Sequence, residues 1–157
     1  MENVPRRWWG PLTCITFLGD SSQVAVGSHS GELKIFDTNN NVVEIFCGHQ
    51  SAMTLLQSYL SGNTQMVLSS SAYEARLWDA SSISMGPRHS FEGCKAARFS
   101  NSGTTFAALP SEQSPREILL YDVQTCNLDL KLIETSPTPG RGHTFSHVHF
   151  NPSDTMQ

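Results

Sequence analysis

The sequence lacks the features that mark membrane, secreted and nucleic-acid-binding proteins. No apolar run approaches the ~18 residues that a transmembrane helix needs, and the start, MENVPRRWWGP, has no apolar stretch of the kind that forms a signal peptide. Charged residues make up only 15% of the chain and the formal net charge is −4, so no strongly basic surface is available for nucleic acid or anionic lipid. These absences predict an intracellular protein that binds neither nucleic acid nor a membrane.

Cysteines are few and scattered. Cys14, Cys47, Cys94 and Cys126 are more than 30 residues apart, and no C-x-x-C pair occurs. This spacing is unlike that of a zinc site or of a small disulfide-bonded secreted domain. We therefore expect four reduced thiols, in strands or at strand ends.

What the sequence does contain is an internal repeat. Three segments end alike, in LKIFD, ARLWD and LLYD, and their closing pairs are Phe36-Asp37, Trp78-Asp79 and Tyr121-Asp122. The three aspartates are 42 and 43 residues apart. A period of this length, closed by W-D or a similar pair, is typical of the blades of WD-repeat β-propellers.

Two further elements recur in the same frame. A turn-rich segment that begins with an aromatic anchor also recurs: Phe17, Tyr59 and Phe99 lie upstream of the three ends, and Phe150 begins a fourth such segment. The dipeptides Gly48-His49 and Gly142-His143 precede the second and fourth units. A single G-H or W-D pair would be a weak signal, but their common frame strongly favours a propeller.

The repeat predicts an all-β fold: a WD-repeat β-propeller fragment with about three four-stranded antiparallel blades plus the first strand of a fourth. We expect a disordered or atypical N-terminus at 1–10 and a partial propeller at 11–157, with blades at about 11–47, 48–91 and 92–140 and the start of a fourth at 141–157. Closed propellers have 4–8 blades, so we expect an open arc and a truncated chain.

Strands are predicted near 13–18, 23–28 and 32–37 and at matching offsets. The segment AMTLLQSYL (52–60) also fits a helical face, but the repeat frame assigns it to a strand. Nine side chains in this frame are expected to be buried between blades: Phe17, Ile35, Phe36, Tyr59, Leu77, Trp78, Phe99, Leu120 and Tyr121.

The residues themselves resemble a known family. The stretch LTCITFLGDSSQVAVGSHSGELKIFD, followed in order by LLQSYLSGNTQMVLSSS, RLWDASSIS, HSFEGCKAARFSNSGTTFAALPSE, ILLYDVQTC and FNPSDTM, closely resembles the WD-repeat propeller of the Vpr-binding protein family, in its plant branch. The resemblance covers roughly residues 11–156. It implies a protein-interaction module without enzymatic activity: part of a substrate receptor that docks on the adaptor of a cullin-four ubiquitin ligase and presents targets for ubiquitination, largely in the nucleus.

The same resemblance implies a docking motif for the adaptor, W-D-x-R, whose arginine pairs with the adaptor. Here Asn39, Ser81 and Gln124 stand at the place of that arginine. We therefore expect this chain not to bind the adaptor through these three ends. A general WD-repeat scaffold unrelated to ubiquitin is the alternative function.

The signature residues have a structural interpretation. Many WD blades link a histidine, a hydroxyl residue, an aspartate and a tryptophan by hydrogen bonds, because a buried imidazole and a buried indole N–H both need partners. His49, Trp78 and one of Ser69, Ser70 and Ser71 fit this pattern, but the usual place of the aspartate holds Ala72, so we expect a partial network. The whole structural set is Phe36, Asp37, Gly48, His49, Trp78, Asp79, Tyr121, Asp122, Gly142 and His143.

Two enzymatic hypotheses are weaker. His143, His147 and His149 form an H-x₃-H-x-H pattern that a zinc enzyme could use, yet in the repeat frame it belongs to a loop and one strand face. Cys94, beside Lys95, has no base that the sequence can place near it, and no G-x-S-x-G motif occurs. The sequence thus predicts no catalytic residue, no metal ligand and no cofactor.

Overall fold

Three antiparallel sheets of four strands each make up the computed structural model. The structure describes residues 10–19, 22–39, 42–112, 116–134 and 147–152. The first sheet contains β1 (Leu12–Leu18), β2 (Gln23–Ser28), β3 (Glu32–Asp37) and β4 (Val42–Cys47). The second contains β5 (Leu55–Ser61), β6 (Thr64–Ser70), β7 (Glu74–Asp79) and β8 (His89–Glu92). The third contains β9 (Cys94–Phe99), β10 (Thr105–Pro110), β11 (Glu117–Asp122) and β12 (Leu128–Ile133).

Each sheet is a simple meander, because consecutive strands pair with one another in chain order. The predicted all-β fold of three four-stranded blades is confirmed, and Phe150 adds a further β-bridge. The ambiguous segment 52–60 contributes to strand β5, as the repeat frame predicted. One short 3₁₀ helix, Ala80–Met85, follows β7 and was not predicted; the Asp79 side chain caps it by accepting the N–H of Ser81.

The sheets pack face to face in two hydrophobic clusters. We call the face of a sheet that turns toward the preceding sheet its leading face, and the opposite face its trailing face. The first cluster joins the trailing face of the first sheet, with Leu18 and Ile35, to the leading face of the second, with Val67 and Trp78. The second cluster joins the second sheet to the third.

Aromatic side chains dominate this second cluster. Phe106 stacks on Tyr121 with a centroid distance of 5.1 Å, and Phe91 meets both rings edge-on at 4.9 and 4.8 Å. Tyr59 of the second sheet contacts Phe99 of the third at 5.9 Å. Gly103 is in the left-handed region with φ +70°, and a Cβ atom there would lie 2.0 Å from the Tyr59 ring, so this close approach requires glycine.

The predicted core is wrong at Phe17, whose side chain is 62% exposed. The pairing register explains the difference. In the first sheet Val24 pairs with Phe17 on one side and with Phe36 on the other. In the second sheet Val67 pairs in the same way with Ser58 and with Trp78.

Phe17 therefore corresponds to Ser58, on the leading face. The true counterpart of Tyr59 is Leu18, which is 4% exposed. The β1–β2 turn joins Leu18 to Gln23, whereas the β5–β6 turn joins Ser61 to Thr64. Counted between equivalent residues, the first hairpin is two residues shorter in the first sheet (Leu18 to Gln23) than in the second (Tyr59 to Met66), and the second hairpin is one residue longer. The net difference offsets the two aromatic anchors by one position, and one position in a strand reverses the face.

The other expected core residues divide into two groups. Those that are buried are Ile35, Leu77, Trp78 and Phe99. Those that are only half-buried are Phe36, Tyr59, Leu120 and Tyr121. Phe36 is on the leading face of the first sheet and Leu120 on the trailing face of the third, and neither of these faces meets another of the three sheets.

Candidate functional site

A hydrogen-bonded relay joins the linker between the first and second sheets to the leading face of the second sheet. The indole N–H of Trp78 donates to Ser69 Oγ at 2.8 Å, and His49 Nε2 lies 2.8 Å from the same oxygen. His49 Nδ1 lies 3.1 Å from Glu74 Oε1. His49, Ser69 and Trp78 are each at most 2% exposed, so water does not satisfy these groups.

The chemistry of the four groups fixes the direction of the relay. An ionised carboxylate only accepts hydrogen bonds, so Nδ1–H of His49 donates to Glu74. In a neutral imidazole Nε2 is then the acceptor, and the Ser69 hydroxyl, which accepts from Trp78, donates to it. The order of donation is Trp78 to Ser69 to His49 to Glu74.

Burial keeps the His49 imidazole neutral. Desolvation lowers the pKa of His49, and it outweighs the attraction of Glu74, which favours the charged ring. A neutral histidine has the single acceptor nitrogen that the relay needs. All four groups are thereby satisfied within the protein, and the relay stabilises the packing of the sheets.

Glu74 is the member that sequence reasoning missed. The expected aspartate position is Ala72, whereas the carboxylate comes from the first residue of β7, four residues before Trp78. Arg76 Nε lies 3.1 Å from the same Glu74 oxygen and helps to fix it. The first sheet repeats this pair in the same register, with Lys34 Nζ 3.5 Å from Glu32; this E-x-[K/R] repeat is the signal that could have identified Glu74.

The linker between the first two sheets holds His49 in place through its backbone. The N–H groups of Gly48 and His49 both donate to the carbonyl of Gly31, at 3.1 and 2.8 Å. Gly31 has φ +88°, and a Cβ atom there would lie 2.1 Å from the His49 carbonyl oxygen. Only glycine permits this approach.

The aspartates at the ends of β3, β7 and β11 are turn caps. In each case Oδ1 accepts a backbone N–H two or three residues further on: Asn39 for Asp37, Ser81 for Asp79 and Thr125 for Asp122. Bonds from the hydroxyl and the N–H of Ser81 lower the pKa of Asp79, and bonds from the N–H and the hydroxyl of Thr125 lower that of Asp122. The signature carboxylates thus shape the turns that follow the third strand of each sheet.

Tyr121 takes the place of Trp78 in the third sheet, without a relay. Its hydroxyl lies 3.6 Å from Cys94 Sγ, and burial together with this contact raises the pKa of Tyr121. Burial also raises the pKa of the Cys94 thiol, which keeps the sulfur protonated and weakly nucleophilic. All four cysteines are unpaired thiols in the structure.

The proposed metal ligands are not brought together among the described residues. His147 and His149 are exposed on either side of buried Val148, and Gly142 and His143 lie outside the described residues. In the part of the chain that the structure describes, no group of three or more histidine, cysteine or acidic side chains could hold a metal ion. Within the same ranges, no helix is long and apolar enough to cross a membrane.

One side of the sheets carries two depressions, separated by Tyr73 in the β6–β7 turn. One, of about 560 Å³, is lined by polar side chains that include Ser51, Glu74 and Glu92. The other, of about 550 Å³, lies beside Lys95 and Pro110. Tyr73 is 69% exposed between them.

Comparisons with known proteins agree with the fold and with the resemblance seen in the sequence. The chain is 54% identical over 146 residues, or 92% of its length, to the DDB1- and CUL4-associated factor homolog 1 of Arabidopsis thaliana. It spans about 8% of the length of that relative. No family model matches the chain.

A solved structure shows the same architecture. The β-propeller domain of Cps50 (Swd1) from Myceliophteria thermophila superposes with a TM-score of 0.62, at 18% identity, over 77% of this chain and 40% of that one. At this identity the match establishes the propeller fold alone. The Arabidopsis relative thus confirms the resemblance seen in the sequence, and the solved structure confirms the propeller fold.

Proposed function

We propose that this chain is a protein-interaction module that forms part of a substrate receptor of a cullin–RING ubiquitin ligase. The premise is that the chain is homologous to one segment of the DDB1- and CUL4-associated factor homolog 1 of Arabidopsis. The observation that carries the proposal is the 54% identity over 92% of the chain. The propeller fold supports it, because rigid sheets joined by variable turns suit the presentation of contact residues.

The burial and the hydrogen bonds of the signature side chains support a scaffold role without catalysis. His49, Ser69 and Trp78 are buried and bonded to one another, and Asp79 is bonded to Ser81. None of them is left to activate a substrate, since a catalytic base or nucleophile must reach the reacting atoms. We propose that Phe36, Gly48 and Tyr121 likewise serve packing, and that Gly142-His143 repeats the role of Gly48-His49 after the blade at about 92–140.

In such a scaffold the turns contact the protein target, above all the surface around Tyr73. Tyrosine provides a large amphipathic contact area with little side-chain entropy to lose. The two flanking depressions offer room for side chains of a partner on either side of this ring. We propose this surface as the part of the chain that contacts a protein target.

The adaptor is proposed as a partner of the receptor but not as a direct ligand of these three sheets. Ser81, at the place of the docking arginine, is engaged with Asp79 through its N–H at 2.9 Å and its hydroxyl at 2.6 Å. A serine cannot make the charge-assisted pair that an arginine makes with an acidic adaptor. We expect no adaptor binding by this chain alone at micromolar concentrations, and a nuclear location for the ligase complex in which it acts.

A chimaera tests the proposal. The matched segment of the Arabidopsis relative is replaced by this chain, and co-precipitation of DDB1 and CUL4 with the chimaera is measured. We expect recovery equal to that of the unaltered relative. Trp78→Ala in the chimaera should reduce it, because the scaffold is damaged, whereas Met85→Ala, at an 86% exposed position, should not.

The alternative of a scaffold unrelated to ubiquitin has its own signature. A chimaera that is expressed and folded like the relative but does not recover DDB1 and CUL4 would contradict the proposal. The contact surface is tested separately by Tyr73→Ser, which should weaken target capture by the chimaera without changing its melting temperature. Unchanged capture would exclude the surface around Tyr73.

A further inference from the structure

A glutamate begins the third strand of every sheet. Glu32, Glu74 and Glu117 are the first residues of β3, β7 and β11. In the first sheet Lys34 Nζ lies 3.5 Å from Glu32, and in the third sheet Lys131 Nζ lies 3.3 Å from Glu117. In both of these sheets one cation is therefore paired with one carboxylate.

The middle sheet differs in the residue that lies opposite this glutamate on the fourth strand. That residue is Cys47 in the first sheet and Ile133 in the third, but it is Glu92 opposite Glu74 in the second. Side chains directly opposite each other share one face and lie close together, so two like charges there repel. Arg76 Nε lies 3.1 Å from Glu74. The middle sheet thus has two carboxylates where the contacting cation is one.

The second carboxylate is open to a ligand. Glu92 is exposed, and within the described ranges its side chain has no hydrogen-bond or ion-pair partner. Glu74 and Glu92 both line the polar depression of about 560 Å³. Both faces of the sheet that carries them are packed against neighbouring sheets. The depression is therefore held in place by the folded core around it.

Tyr73 adds an aromatic ring to the same depression. Its side chain is 69% exposed and lines the depression next to Glu74. A guanidinium or ammonium group is attracted to the face of such a ring and binds carboxylates by charge-assisted hydrogen bonds. The aliphatic part of an arginine or lysine side chain packs on apolar surface at the same time. The depression therefore offers both of the contacts that a long cationic side chain makes.

We propose that this depression binds an arginine or lysine side chain on an exposed segment of the protein target. The inference rests on the proposed function, since it names the kind of segment that the surface around Tyr73 contacts. The occupant is cationic because Glu74 and Glu92 exceed the positive charge of Arg76, at a position where the other two sheets are balanced. A bound cation relieves the repulsion between the two glutamates.

Selection from a display library of random short peptides on the immobilised 157-residue chain tests the proposal. We expect the recovered peptides to be enriched in arginine or lysine at one position. Fluorescence anisotropy then measures their affinity. Glu92→Gln in the chain, or glutamine in place of the cationic residue of the peptide, should each lower the affinity about tenfold. The two changes together should cost little more than either alone, because both remove the same contact.

Three further variants control the experiment. Glu44→Gln makes the same change at an exposed glutamate of β4, outside the depression, and should leave the affinity unchanged. Glu92→Lys should recover peptides with an acidic residue instead. Tyr73→Ser should weaken binding of the cationic peptides. The melting temperature of the Glu92→Gln chain should not fall, because the substitution removes a like-charge contact, so weaker binding is not a result of unfolding.

Three results would overturn the inference. One is a set of recovered peptides without enrichment in arginine or lysine, and another is an affinity that Glu92→Gln leaves unchanged. The third is equal weakening by Glu44→Gln. These measurements need no ligase component, whereas recovery of DDB1 and CUL4 by the chimaera decides the receptor proposal, so failure of one is distinguished from failure of the other.

Discussion

The two interfaces between sheets occupy equivalent positions in the repeat but are built from different chemistry. Between the first and second sheets, Trp78 donates into a polar relay that ends at Glu74. Between the second and third, Tyr121 lies at the same position and stacks on Phe106 instead. The comparison teaches that the repeat geometry specifies where a large side chain must lie, whereas the neighbouring residues decide whether it is held by hydrogen bonds or by aromatic packing.

The largest effect is expected at the tryptophan of the polar interface. Trp78→Ala removes a side chain that is 1% exposed and also leaves Ser69 without its indole donor. We expect a loss of about 4–5 kcal/mol in the free energy of unfolding. Urea denaturation measures it, and an unchanged midpoint would show that Trp78 is not part of the core.

The aromatic interface is tested by a matched pair of phenylalanines. Phe99 and Phe17 have the same register position on leading faces, yet Phe99 is 4% exposed and Phe17 is 62% exposed. Phe99→Ala should cost about 3–4 kcal/mol, and Phe17→Ala well under about 1 kcal/mol because most of its surface is already in water. Comparable losses at the two positions would contradict the assignment of Phe17 to a face that no other described sheet covers.

Removing the hydroxyl of the relay should have an intermediate effect. Ser69→Ala leaves the Trp78 N–H and the His49 acceptor nitrogen buried without partners, which costs about 1–3 kcal/mol. The matched control is Ser102→Ala, at an exposed position in the β9–β10 turn. Urea denaturation of both variants provides the comparison, and a smaller loss for Ser69→Ala than for Ser102→Ala would show that the relay does not stabilise the interface.

The smallest expected effect is a dependence on pH that only the polar interface should show. The pKa of His49 is lowered in the folded protein from its ordinary value of 6.5, so the unfolded chain binds the additional proton more readily. Stability is therefore highest above pH 6.5 and decreases as pH falls through that value toward the lowered pKa. Melting temperatures of the unaltered chain and of His49→Asn between about pH 7.5 and pH 5.5 measure this contribution.

The difference between these two melting profiles isolates His49 from the other histidines and carboxylates. A steeper fall with acid in the unaltered chain is expected. Parallel profiles would mean that His49 is not held neutral by burial. Phe99→Ala, which lies in the aromatic interface, should reproduce the slope of the unaltered chain.

Much of the fold could be predicted from the sequence because the repeat constrains it. The spacing of Asp37, Asp79 and Asp122 placed the third strand of every sheet, and turn residues placed the strands around them. The face of an individual side chain was less predictable. Differences in the lengths of the two hairpins, which leave a net offset of one residue, moved Phe17 to the opposite face from the one expected. Side chains in a strand alternate with a period of two, so one residue is enough to reverse the face.

The candidate site was also predictable in part, since three of the four members of the relay could be identified from the sequence. The sequence identified His49, Trp78 and a serine, because buried imidazole and indole groups need partners and the spacing allowed them to meet. It did not identify Glu74, because a carboxylate four residues before the tryptophan meets His49 only when the linker from the first sheet crosses to the second. That contact joins residues 25 apart in the chain.

The sequence by itself determined the β-propeller class, the number of four-stranded sheets and the residues that close each unit, since these follow from local turn chemistry repeated at a fixed period. The tertiary structure decided which of the aromatic anchors are buried, which serine and which carboxylate complete the relay, and which faces of the described sheets pack on one another. Those outcomes depend on the contact of one sheet with the next, and a face is buried only where another sheet covers it.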